Sequence, residues 1–291
     1  GDDVILYMRE QFSKEMPLSE PLHNKFLDLF KKYLLIGGLP DAINTFISTN
    51  NIVAVRAVHD EIYELYRGDA SQYDSENSLK IKRIYEMIPS NMENKKKRLY
   101  YQDIEGIKGK RSSSYEAELE YLINSGISLD VLAVSNPKFP LKESEHKTLI
   151  KLYLNDVGLL TNLLYRYNIS AILSTEPEIN LGAVYETVVA QELIAHGYTL
   201  RYYDNKSKGE VDFLVDNFDT LSALPIEVKS GKDFKKHRAL DKFVGNEDYH
   251  IKNAIILSNE REVLRKGKIV YMPIYYTMFL QPSTPEVNLI P

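Results

Sequence analysis

The chain has 291 residues and a formal net charge of −5. That length is enough for two domains with cores of their own. The acidic balance excludes a uniformly basic nucleic-acid coat but allows a local basic patch. Cysteine is absent, which rules out disulfides and thiolate metal sites and points to a reducing, cytoplasmic setting. No run is apolar enough to span a bilayer and no signal peptide is visible, so no membrane partner is expected. The chain opens Gly1-Asp2-Asp3 without an initiator methionine, and Gly1 reads as the remnant of a trimmed terminus.

Residues 2–15 carry Val4, Ile5, Met8 and Phe12 near helical spacing. Residues 22–35 form a stronger amphipathic helix through Phe26, Leu29, Phe30, Tyr33 and Leu34, which Gly37-Gly38 stops. Pro40 and Asp41 start the next helix. The Gly37-Gly38-Leu39-Pro40 turn lacks the Gly-Lys-Ser/Thr of a phosphate loop, and no Walker A sequence occurs in the chain. Residues 51–66 follow as a helix, 68–77 as a polar loop, and Ser78 as the cap of a helix expected to end at Pro89. Ser112-Ser113-Ser114 is expected to cap a helix closed by Gly126. Residues 129–134 and 150–154 then read as a strand and its return.

Helices followed by a two-stranded hairpin give the order of a winged helix, whose third helix commonly enters the DNA major groove. Lys95, Lys96, Lys97 and Arg98, with Lys108, Lys110 and Arg111 beyond them, would then lie near a phosphate backbone. The alternative is a solvated basic loop on a packing domain. Asp156 reads as a helix cap, residues 177–180 as a linker, and residues 181–196 as a long helix with Glu186 on its apolar side. Residues 198–203, 254–257 and 269–272 read as strands. Residues 235–244 read as a basic helix containing Lys235, Lys236 and Arg238, and 273–280 as a closing helix.

Two further strands carry the chemistry. Gly209-Glu210-Val211-Asp212-Phe213-Leu214-Val215 and Leu224-Pro225-Ile226-Glu227-Val228-Lys229-Ser230-Gly231 place charge inside apolar runs, which is costly unless the charge is paired, hydrogen-bonded or metal-bound. Glu227 and Lys229, two apart, point to one side of their strand. Carboxylates and a lysine converging from adjacent strands suit Mg²⁺ or Mn²⁺ held by hard oxygens, with the ammonium steadying a water or a phosphate. The six histidines show no metal-ligand spacing, and no Gly-X-Ser-X-Gly nucleophile motif occurs.

Glu186, Asp212 and Glu227-Val228-Lys229 together resemble the PD-(D/E)XK nuclease superfamily, although Val211 stands where that motif has proline. The resemblance implies that Asp212 and Glu227 bind the metal, Lys229 helps activate water, and Glu186 assists from its helix. More widely, Tyr33–Pro40, Lys151–Leu160, Gly182–Glu186, Gly209–Leu214 and Ile226–Gly231 occur in an order that looks like the C-terminal portion of prokaryotic AAA+-type ATPases ending in a domain of unknown function. That resemblance implies a helical remnant or lid of a preceding ATPase domain over residues 1–50, a winged-helix-like domain over 51–155, and a restriction-endonuclease-like α/β domain over 156–291, α+β overall. Two functions stay open: metal-dependent hydrolysis of DNA, and a non-catalytic DNA- or protein-binding module coupled to the ATPase domain. An oligomer is left open too.

Overall fold

The computed structural model describes residues 2–73, 77–174, 179–231 and 234–282. The first half is helical: α1 (Asp2–Ser13), α2 (Glu20–Ile36), α3 (Pro40–Thr49), α4 (Ile52–Tyr73), α5 (Ser78–Glu93), α6 (Tyr101–Glu105) and α7 (Glu116–Asn124). Strands β1 (Ser128–Val134) and β2 (Glu145–Leu154) follow, then α8 (Val157–Tyr165), α9 (Ile169–Leu173) and α10 (Gly182–Ala195). The last part holds β3 (Arg201–Asn205), β4 (Gly209–Asn217), β5 (Ser222–Val228), α11 (Arg238–Val244), β6 (Ala254–Ser258), β7 (Leu264–Lys266) and β8 (Ile269–Pro273). The closing helix expected at 273–280 is a 3-10 turn at Ile274–Phe279.

Several helix boundaries differ from expectation. The polar segment 68–77 is not a loop throughout: α4 runs on to Tyr73, and residues 74–76 lie outside the described residues. One glycine costs a helix only about 1 kcal/mol, and α4 packs along α3, α5 and α8. Pro89 sits inside α5 rather than ending it, buried with Ile84, Tyr85, Ile88 and Met92, so packing overrides the lost hydrogen bond. The three serines form a 3-10 turn with no side-chain cap on the helix that follows. Of the expected linker, residues 177 and 178 lie outside the described residues.

The sheet has eight strands among the described residues, in the order β2-β1-β3-β4-β5-β6-β8-β7. The β1–β3, β5–β6 and β6–β8 pairs are parallel and the other four antiparallel. The two-stranded hairpin expected of the winged-helix-like region lies at the edge of this sheet: β1 pairs with β2 on one side and with β3 on the other, Leu132 facing Arg201. The expected boundary at 155/156 falls between β2 and α8. A single apolar cluster runs across it, from Met8 and Tyr85 through Leu152 and Leu160 to Val188, Ile226 and Tyr276. A smaller cluster, with Val211, Leu214, Leu240, Phe243 and Ile256, lies on the α11 side. Central β6 and β8 are buried at every position, as strands covered on both faces should be.

The α2–α3 corner is bolted to the start of α8. Asp156 caps α8 as expected, accepting from Leu159 N at 3.1 Å, and it also accepts from Gly38 N at 2.6 Å. Gly37 has φ +73°, and a Cβ there would stand 2.1 Å from Asp156 Oδ1. Gln191 on α10 completes the joint, accepting from Val157 N at 3.2 Å and donating to Tyr33 OH at 2.6 Å.

Gly37→Ala should therefore cost both the left-handed backbone and the clash with Asp156, about 2–4 kcal/mol in urea unfolding. Gly106→Ala, at φ +70° with nothing within 4 Å of the added carbon, should cost only about 1–2 kcal/mol.

Candidate functional site

Strand β4 parts from β5 halfway along. The β4–β5 pairing runs from Asn217↔Ser222 to Phe213↔Ile226. Beyond that point β4 continues beside β3 as far as Gly209, while the end of β5 stays with β6. The amide of Val228 faces the gap, and Asp212 Oδ2 accepts from it at 2.8 Å. Lys229 N is held on the other side by Leu257 O at 2.8 Å.

An irregularity in β4 aims the side chains here. Arg201↔Leu214 and Tyr203↔Val211 leave two residues of β4, Asp212 and Phe213, opposite one of β3, which is a bulge. Val211 and Leu214 enter the cluster on the α11 side, whereas Phe213 and Val215 enter the larger one. Asp212 is thereby released from the ladder at the mouth of the fork.

The fork gathers the carboxylates expected from the sequence. Glu227 is 6 % exposed and accepts from Lys229 Nζ through Oε1 at 2.6 Å. Its Oε2 is buried with no hydrogen-bond partner. Glu186, on the buried side of α10, accepts from Tyr153 OH at 3.3 Å and is ion-paired with Lys97. Burial, then the negative charges of Glu227 and Glu186, push the Asp212 carboxyl well above its ordinary value against the pull of Lys97 and Lys151. Burial also raises Glu227, with Lys229 opposing and Glu186 adding to it. For Lys229, burial works against the charge, but Glu227, Asp212 and Glu186 outweigh it and its pKa is raised.

The basic run, expected either near a phosphate backbone or as a solvated loop, is largely turned inward. Only Lys95 of its four residues is exposed. Lys96 reaches Asp204 at 3.1 Å, Arg98 is ion-paired with the same carboxylate, and Lys97 points into the fork. Their cations are drawn inward because Asp204 and Glu186 are half-buried or buried carboxylates in need of partners. Lys110 is half-buried, 3.6 Å from Glu105, and Arg111 is exposed. Lys235 and Arg238 are exposed, but α11 begins only at Arg238.

Lys151, its partner Glu210 and Tyr153 also belong to the site. Lys151 is fully buried on β2, donates to Glu210 Oε1 at 2.5 Å, and lies 4.5 Å from the Tyr202 ring centre. Tyr153, on the same strand, donates to Glu186. Lys151 carries the signal that marked Asp212 and Lys229, a charge inside an apolar strand. Carboxylates Glu186, Glu210, Asp212 and Glu227 stand against Lys97, Lys151 and Lys229, four negative groups to three positive.

Hard carboxylate oxygens, one of them an orphaned Glu227 Oε2, are the donor set a small divalent cation takes. Asp212 and Glu227 fit that role. Among the described residues, no three His, Cys, Asp or Glu side chains come together as a ready metal cluster. Glu186 is held by Lys97 and Tyr153, and Asp212 spends one oxygen on Val228.

The raised Asp212 and Glu227 pKa values set a pH dependence. Both groups bind protons more tightly folded than unfolded, so their contribution to stability is full below the ordinary carboxylate range and is lost as pH rises through the folded values. Asp212→Asn keeps an acceptor for Val228 N and removes the charge. It should raise the thermal midpoint at pH 8 by roughly 2–4 °C, about 1 kcal/mol in a chain of this size, with the gain shrinking towards pH 4. A calorimetric series over that range checks it.

Comparison with known families gives two matches. Residues 27–169 match a model described as Domain of unknown function (DUF8612), and residues 181–277 match one described as Domain of unknown function (DUF4143). The latter domain is commonly associated with proteins containing an AAA-ATPase. No curated protein matches the chain significantly, and neither does any solved structure. No helix among the described residues is long and apolar enough to cross a membrane.

Proposed function

We propose that the fork between β4 and β5 is a metal-dependent phosphodiester hydrolysis site acting on DNA, carried by the C-terminal region of an AAA+-type ATPase. One observation carries the reading: a buried, unpartnered carboxylate oxygen, Glu227 Oε2, at a fork that also holds Asp212 and Lys229. Asp212 and Glu227 would hold Mg²⁺ or Mn²⁺, which supplies Lewis acidity and neutralises charge growing on a phosphodiester. Lys229 keeps its proton beside Glu227 and can turn the ammonium towards a phosphate oxygen or an attacking water. Glu186 and Tyr153 fix the back wall from α10 and β2.

A second reading is supported by the ion pair between Lys97 and Glu186. With that carboxylate engaged, the same fold serves as a DNA- or protein-binding module coupled to an ATPase domain, without cleavage.

Incubation with linear and circular DNA plus Mg²⁺ or Mn²⁺ separates the two. Hydrolysis should appear and fall at least about 100-fold in both Asp212→Ala and Lys229→Ala. DNA binding that survives with no cutting in any metal favours the binding module, and absence of both leaves protein partnership. In the binding assay, Lys95→Glu and Arg111→Glu should each flatten the salt dependence by about one unit of slope. Lys96→Gln should change the slope by less than either, because that ammonium is held by Asp204, which it shares with Arg98.

A further inference from the structure

The residue that the proposed site does not account for is Lys97. It lies in the turn after α5, on the helical half of the molecule, yet its ammonium is ion-paired with Glu186 on α10. Its side chain is 19 % exposed. Burial works against its charge, but Glu186, Asp212 and Glu210 outweigh that and raise its pKa, so the cation is held firmly. Its contact is with Glu186, and its charge also pulls on the Asp212 carboxyl against the effect of burial.

The turn is built to deliver this one side chain. Lys97 has φ +50°, a left-handed backbone that non-glycine residues rarely adopt. Its neighbours Lys96 and Arg98 both seize Asp204 on β3. The two outer cations anchor the turn on one carboxylate, and the middle one is turned the other way, into the fork.

Resting on the reading of the fork as a metal site, we infer that Lys97 is a displaceable counter-ion: its ammonium competes with a divalent cation for the carboxylates of Glu186 and Asp212. In the closed arrangement Lys97 neutralises the cluster and keeps Glu186 from joining Asp212 and Glu227 as a ligand set. Withdrawal of the 94–98 turn gives Glu186 back, and the released ammonium stands at the rim, where a phosphate can take it. The contact joins the segment 27–169 to the segment 181–277, so a shift of the helical half relative to the sheet is felt as metal affinity.

Mn²⁺ binding to the full chain tests this by calorimetric titration and by the electron paramagnetic resonance of free Mn²⁺, neither of which depends on cleavage. Lys97→Met, which keeps the length and removes the charge, should bind Mn²⁺ about tenfold more tightly than the parent chain. Asp204→Asn loosens the anchor of the turn without touching the fork, and it should shift affinity in the same direction. It keeps the test decisive if Lys97→Met fails to fold. Adding Glu186→Gln to Lys97→Met should abolish the gain. If the parent chain binds Mn²⁺ and both single variants bind it equally or more weakly, Lys97 is a scaffold for Glu186 and the inference falls while the metal reading stands. If none of the proteins binds Mn²⁺, both fall.

Discussion

A β-sheet that splits partway along two of its strands leaves backbone amides facing a gap, and each must find another partner or bear the cost of desolvation. Here that obligation falls on Val228, and a carboxylate meets it. Asp212 takes the place of a missing strand atom, so one carboxylate both closes the fork and joins the acidic cluster within it. The bulge at Asp212 and Phe213 makes this geometry available, since it lets the carboxylate leave the ladder while Phe213 stays in the core.

Everything else at the site follows from placing several acids close together with little water. Burial first, and then their mutual repulsion, pushes Asp212 and Glu227 towards the neutral form, and the fold answers with ammonium groups from three separate places: Lys229 on the adjacent strand end, Lys151 on β2 and Lys97 from the turn after α5. Positive charge drawn from the helical half thus stabilises negative charge held by the sheet. Mutual neutralisation is a different demand from stability alone, because a buried pair is seldom better than an apolar substitute.

Much of the fold was legible. The glycine stop of α2, the proline start of α3, the Asp156 cap and the apolar strands β4, β5, β6 and β8 all appear in the structure near their expected positions. These are local features, decided by capping chemistry and burial pattern. The union of β1 with β3 was not legible, because strand pairing across about 70 residues of sequence leaves no local mark. Nor was the continuation of α4 and α5 through Gly68 and Pro89, where packing outweighs propensity. Of the candidate site, Glu186, Asp212, Glu227 and Lys229 were readable as charges in apolar surroundings. Lys97 was visible only as one of a basic run, since nothing in four consecutive cations says which will turn inward.

The parallel pairing of β1 with β3 constrains how the molecule can be divided. Strand β3 owes one of its edges to a strand that lies more than sixty residues earlier and within the other matched segment. A chain cut in the 174–180 region would strip that edge bare at Arg201 and Tyr202, and would uncover the side of α10 that α8 packs against and the Tyr185 ring that Phe30 of α2 covers. Exposed strand edges recruit other strands. The two segments are therefore folding partners, and the sheet-bearing half, expressed alone, would be prone to self-association through β3.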